Sequence, residues 1–183
     1  MKREEAFDLV RLNLKSDNLF YHSLAVEAVM RKLAERLGED AETWALTGLL
    51  HDIDYEQTAE EPEKHGIYAQ DILSIYKLHD DVLHAIASHN VMTGVERKTL
   101  IDQALYAADP VTGLLTACAL VKPSKKLSDV AVSSVKKKFK DKAFARGANR
   151  AQIDSCMDFN IERTEFLALA LESMQEISNE IGL

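Results

Sequence analysis

"LLHDIDYE", Leu49–Glu56, closes an apolar segment with two leucines, then sets an imidazole beside a carboxylate and places three acidic residues within five positions. The ten residues before His51, "AETWALTGLL", contain no proline, and Asp40 stands just ahead of them as an N-cap. His51 extends the stripe of Trp44 and Gly48, so it faces inward at the end of a helix. An isolated carboxylate in apolar surroundings is heavily penalised, so Asp52 needs partners from elsewhere in the chain.

Working outward, helical periodicity is nearly continuous. It predicts helices over about 3–14, from Ser16 and Asp17 as caps to Leu37, over 41–51, and then, past an acidic loop, over 65–77, 80–89 and 100–119. A basic loop, "VKPSKKLS", precedes a helix near 128–140. Asn149 and Gln152 have capping-box spacing for a short helix. A last helix over 161–181 has its stripe at Leu167, Leu171, Met174, Ile177 and Ile181. Seven glycines and three prolines in 183 residues leave little punctuation for strands. The fold class is all-α, with 1–183 as a single domain: a core of about 18–119 and a helical extension over 120–183. Pro110, inside the 100–119 pattern, predicts a kink or break that splays Asp109 off the regular helix surface.

Composition excludes several classes. The N-terminal residues lack an apolar signal core, and the longest apolar run is too short to cross a bilayer. Cys118 and Cys156 form no CxxC pair, which reads as two core thiols in a reducing, cytoplasmic setting. The net charge of −8 is uneven, since Lys122–Arg150 carries +8 and the remainder −16. Such a patch either attracts an anion or simply keeps a helix face solvated.

Four histidines and two aspartates bear on the chemistry. His22 leads a stripe through Val26, Val29, Met30 and Leu33. His65 leads Tyr68, Ala69 and Ile72, His89 follows Val82, Ala85 and Ile86, and Asp109 follows Ile101 and Leu105. A lone inward histidine is more often a hydrogen-bonded core residue; the joint pattern is what points to metal. Imidazole with carboxylate suits Mn, Fe, Co, Ni or Zn. His84 falls on another face of its helix and reads as supporting or structural, and His79, beside two aspartates, as exposed.

The order His22, His51-Asp52, Asp109, flanked by "HSLAVEAVMRKLAERLG", "ALTGLLHDID" and "ALYAADPVTGLL", resembles the H…HD…D signature of the HD-domain superfamily of metal-dependent phosphohydrolases. The match covers roughly 18–115 and implies an HD-type helical bundle. "EKHGIYAQ" and "IASHN" resemble the added histidines of members with two metals. The resemblance implies one divalent ion on His22, His51, Asp52 and Asp109 and a second on His65 and His89, with Asp52 bridging. It also implies attack of a metal-activated water on phosphorus.

This implies a hydrolase for a small phosphate ester or anhydride, a nucleotide being the first candidate, with Lys122, Lys125 and Lys126 folding back to clamp phosphate. Asp54 stands where HDIG relatives carry glycine, as a base, an acid or a cap, so Asp52 and Asp54 are the catalytic candidates. The absence of a GYP motif argues against the cyclic-di-GMP phosphodiesterases, and the ligand order is closer to the group holding symmetrical dinucleoside tetraphosphatases. Two alternatives use the same ligands: a di-iron oxygenase, and a metal-stabilised binding or regulatory module without turnover. Nucleic acid is disfavoured by the acidic remainder.

Overall fold

The computed structural model describes residues 1–183, and every regular element is helical. Helix α1 spans Arg3–Asn13, α2 Asp17–Leu37 and α3 Ala41–Leu50. Gly38, with φ of 77°, ends α2 in the left-handed conformation that glycine adopts without a Cβ penalty. Two residues later Asp40 starts α3 by accepting the Thr43 amide at 2.6 Å. So short a connection folds α2 and α3 into an antiparallel hairpin, bringing the start of α2, with His22, beside the end of α3, with His51. Ser16 makes no side-chain cap; instead the Glu56 carboxylate accepts the Lys15 and Ser16 amides, tying the α1–α2 turn to the segment after Asp54.

The hairpin closes tightly at one point. A Cβ on Gly48 would lie 2.8 Å from the Val26 carbonyl oxygen and 2.9 Å from the Glu27 amide nitrogen. Backbone cannot yield as a side-chain tip can, so Gly48→Ala must push α3 off α2. Overpacking of this kind costs about 1–3 kcal/mol. At about 2–4 °C per kcal/mol for a chain of this size, the melting midpoint should fall by roughly 3–10 °C. A calorimetric midpoint equal to that of the native protein would show the close approach to be unimportant.

Helices α4 (Tyr68–Leu73), α5 (Asp80–His89) and α6 (Leu100–Leu120) follow. Helix α4 is shorter than the 65–77 its pattern predicts. Gly66 at φ 90° and extended backbone at His65 keep that histidine off the helix altogether. Helix α6 opens on a capping box between Thr99 and Asp102, then runs through Pro110 without the expected break. Proline removes only one backbone donor, and Ala107, Ala108, Val111, Leu114 and Leu115 are buried around it, so packing outweighs the local defect.

Helices α7 (Val132–Lys140), α8 (Arg150–Asp154) and α9 (Arg163–Glu176) complete the chain. Asn149 caps α8 by accepting the Ala151 and Gln152 amides. Helix α9 ends five residues before the predicted boundary, though Ile181 beyond it is still buried. Val135, Phe139, Ile153, Phe166 and Leu171 join the same continuous core as Val26, Leu50 and Leu105, so the extension packs onto the bundle. Cys118 and Cys156 are buried free thiols within it, and burial raises both above the ordinary thiol range. No helix is long and apolar enough to cross a membrane.

Candidate metal centre

The open end of the α2–α3 hairpin, the last turn of α5 and the middle of α6 meet at one place, with the loop after α3 folding across it. All six residues singled out as ligands come together there. Asp52 sits at the centre. Its Oδ1 is 3.1 Å from His65 Nε2, 3.3 Å from His51 Nε2 and 3.6 Å from His89 Nε2, and its Oδ2 is 3.6 Å from His22 Nε2. Asp109 Oδ1 lies 3.1 Å from His22 Nε2. Two groups have ligand atoms mutually within 4.8 Å: His22, His51 and Asp52, and then Asp52, His65 and His89. Asp109 falls outside the tighter triplet and reaches the first group through His22.

The ring orientations share one logic. His51 Nδ1 donates to the Gly48 carbonyl at 2.8 Å and His89 Nδ1 to the Ile86 carbonyl at 2.6 Å, each using the helix turn that precedes it. His22 Nδ1 donates to Thr112 Oγ1 at 3.0 Å, and that hydroxyl donates onward to the Asp109 carbonyl. His65 Nδ1 meets Asp54 Oδ1 at 2.9 Å. With Nδ1 engaged in every ring, the four Nε2 atoms are left to face the centre. His65 Nε2 and His89 Nε2 stand 3.1 Å apart. His51 Nε2 is buried with no hydrogen-bond partner.

Nitrogen lone pairs turned toward carboxylate oxygens and toward each other repel unless a proton or a cation lies between them. The protonation balance carries the same demand. Burial holds His51 down at about 4, so it is a neutral imidazole at ordinary pH. Asp52 lies well below the usual carboxylate range: burial opposes this, but His51, His65, His89 and His22 together outweigh it. Asp109 is lowered as well, against its burial, by His22. For His65 burial acts downward, yet hydrogen bonds and charge from Asp52 and Asp54 push it up to about 10. His22 is raised too, against burial, by Asp109 and Asp52. Ionised carboxylates and inward imidazoles without a thiolate fit a divalent transition ion.

A pocket of about 360 Å³ opens above this cluster. Besides ligand candidates it is lined by Leu19, Tyr55, Asn90, Val91, Tyr106 and Gln152. Lys122, Lys125 and Lys126 do not line it. Because α6 continues unbroken past Asp109, Lys122 lies beyond the helix end, roughly 20 Å along the helix at 1.5 Å per residue. Asp54 does not line it either, being fully buried behind His65. His84 Nδ1 is 2.9 Å from Asp102, the carboxylate that caps α6, and does not reach the cluster. His79 is exposed at the start of α5.

Sequence reading missed several contributors. Asn90 donates to the Pro62 and His65 carbonyls and pins the loop to the end of α5. Its position directly after His89 was a usable signal, as was Thr112 three residues after Asp109. Gln152, from the distant α8, had none. The glycine of "HG" also acquires a reason. A Cβ on Gly66 would sit 2.6 Å from the Ile86 carbonyl oxygen, the same atom that orients His89.

Comparison with known proteins agrees with this geometry. Ribonuclease Y of Nitratidesulfovibrio vulgaris (strain DP4) is 35% identical over 98 residues, 54% of this chain and 18% of that protein. Ribonuclease Y of Acetivibrio thermocellus is 28% identical over 170 residues, and that of Bacillus pumilus 30% over 173, each covering 90% of this chain and 32% of the relative. The chain thus spans a third or less of the length of these curated relatives. No solved structure matches significantly. A family model described as "HD domain" matches residues 19–114, just over half of the chain and the whole span from His22 to Asp109. The matched span holds the His51-Asp52 pair that follows α3, and the chain belongs to the HD domain proteins.

Proposed function

We propose that this HD domain is a divalent-metal-dependent phosphohydrolase acting on a phosphate ester or anhydride of a nucleotide. The observation that carries the proposal is the convergence of four Nε2 atoms and two carboxylates at the floor of an open pocket. His22, His51, Asp52 and Asp109 would hold one ion, and His65 and His89 a second, with Asp52 shared because a carboxylate has two oxygens to offer. Ions bound there supply an activated water and neutralise phosphoryl oxygens.

The protein's own groups supply the rest. Tyr55 packs edge-on against His65 with ring centroids 5.2 Å apart and is 44% exposed, leaving a free aromatic surface at the pocket mouth. Tyr106 forms another wall, and the Arg97 guanidinium lies over its ring at 3.7 Å. Arg97 does not itself line the pocket, so its positive charge bears on that wall only through the Tyr106 ring. Asn90 and Gln152 add amide groups suited to a polar leaving group.

A phosphodiester in RNA is the second reading, favoured by the name ribonuclease Y on the relatives. The charge of −16 outside the basic segment opposes long polyanions, and a pocket of about 360 Å³ suits one nucleotide, so this reading narrows to short oligoribonucleotides. The test is a panel of nucleotides, dinucleoside polyphosphates and short oligoribonucleotides with Mn, Co, Ni or Fe. Metal-dependent release of phosphate or nucleotide is expected. A fully loaded protein that turns over none of them would overturn the proposal, and substrate-dependent oxygen uptake by the iron form would move it to the oxygenases.

A further inference from the structure

We propose that Asp54 is a positioning residue, which fixes the tautomer and aim of His65 and thereby builds the second cation site. The inference rests on the two-ion reading above and deepens it. The residue is fully buried. Its carboxylate is committed on both oxygens: Oδ1 accepts from His65 Nδ1 at 2.9 Å, and Oδ2 accepts the Gly66 amide at 2.8 Å and the Ala69 amide at 2.9 Å. No oxygen is turned to the pocket, so Asp54 is placed to hold its neighbours and not to exchange protons with a substrate.

The need for such a residue follows from where His65 lies. His51 and His89 end helices and find an acceptor for Nδ1 three residues back on their own turn. His22, near the start of α2, borrows Thr112 from α6. His65 has extended backbone just past the short 3-10 turn Pro62–Lys64, and the Pro62 carbonyl three residues back is already taken by the His65 backbone amide and the Asn90 side chain, so the ring needs another acceptor. Asp54 fills that gap with a full negative charge in place of a carbonyl dipole. A carboxylate behind a ligating imidazole holds the proton on Nδ1, leaves Nε2 as the lone-pair atom and raises its basicity. The same side chain fastens Gly66 and Ala69, so ring and loop are set by one group. This accounts for a buried charge two residues after Asp52.

The diagnostic change is Asp54→Asn, which is nearly isosteric. If the amide oxygen keeps the Gly66 and Ala69 amides, the NH2 group must face His65 Nδ1. That nitrogen then has to accept, and the ring proton moves to Nε2, the atom aimed at the ion. Metal-free native and variant proteins would be titrated with Mn²⁺ and Co²⁺ while ion stoichiometry and helix content are recorded. The native chain should bind two ions. The variant should keep the first affinity and native helix content, with the second weakened about 10–100-fold, the usual effect of losing such a partner.

A native chain that binds fewer than two ions sinks the two-ion reading itself. Two ions in both proteins with equal affinities sinks the positioning role alone. Should the variant fail to fold, the Zn²⁺-loaded native protein still decides the matter: ¹⁵N correlation spectra must show the His65 proton on Nδ1, and a proton on Nε2 overturns the proposal.

Discussion

Asp52→Ala should abolish hydrolysis, by about 10³-fold or more, and should remove tight binding of both ions while the helices remain. The size of the effect follows from its position. Asp52 belongs to both candidate triplets and stands within 3.6 Å of Nε2 of four histidines. Removing it leaves the first ion three ligands and the second only two imidazoles. Asp109→Ala should be milder, because Asp109 touches the cluster only through His22. Ion stoichiometry by elemental analysis, with circular dichroism alongside, separates loss of the site from loss of the fold. An Asp52→Ala protein that still holds two ions, or still turns over substrate at a tenth of the native rate, would refute the bridging role.

Stability should respond to the ions almost as strongly. A ligand that binds only the folded state, at about 100 times its dissociation constant, adds about 2.7 kcal/mol, so two sites add about 5 kcal/mol. At about 2–4 °C per kcal/mol, loading should raise the melting midpoint by roughly 10–20 °C, and a chelator should reverse the rise. The physical origin is the arrangement of His51 Nε2, buried without a partner, and of His65 and His89 Nε2 at 3.1 Å, which only a cation or an extra proton relieves. Asp54→Asn should show about 60–75% of the rise, since a second site weakened about 10–100-fold still adds about 0.4–1.4 kcal/mol. Identical midpoints with metal and with chelator would mean that the cluster is satisfied by protons alone.

Much of this was legible in the chain because the signals are local. Asp40 and Gly38 mark helix ends by their own chemistry, and both act as their residue types require. His22, His89 and Asp109 lie on inward stripes, so their burial side followed from a period of 3.6 residues. The order H…HD…H…H…D, by resemblance, assembled the six residues before any distance was known. His65 reached the site for a different reason than its pattern implied, since Gly66 turns the chain and the ring comes from a loop.

Other features were decided only when distant segments met. Nothing local to Pro110 shows that the surrounding helix would hold, since that depends on what buries Val111 and Leu115. The same unbroken helix carries Lys122, Lys125 and Lys126 away from the pocket that their charge alone made attractive. Gln152 reaches the pocket from α8, and Arg97 through the face of Tyr106. By itself, then, the sequence determined an all-helical chain and the inward side of most of the residues that meet at the cluster, because helix propensity, capping and periodicity act over a few residues. Tertiary structure alone decided that Asp54 turns inward behind His65, that Thr112 sets the His22 ring and that the lysines stay out, because each depends on groups brought together across the fold.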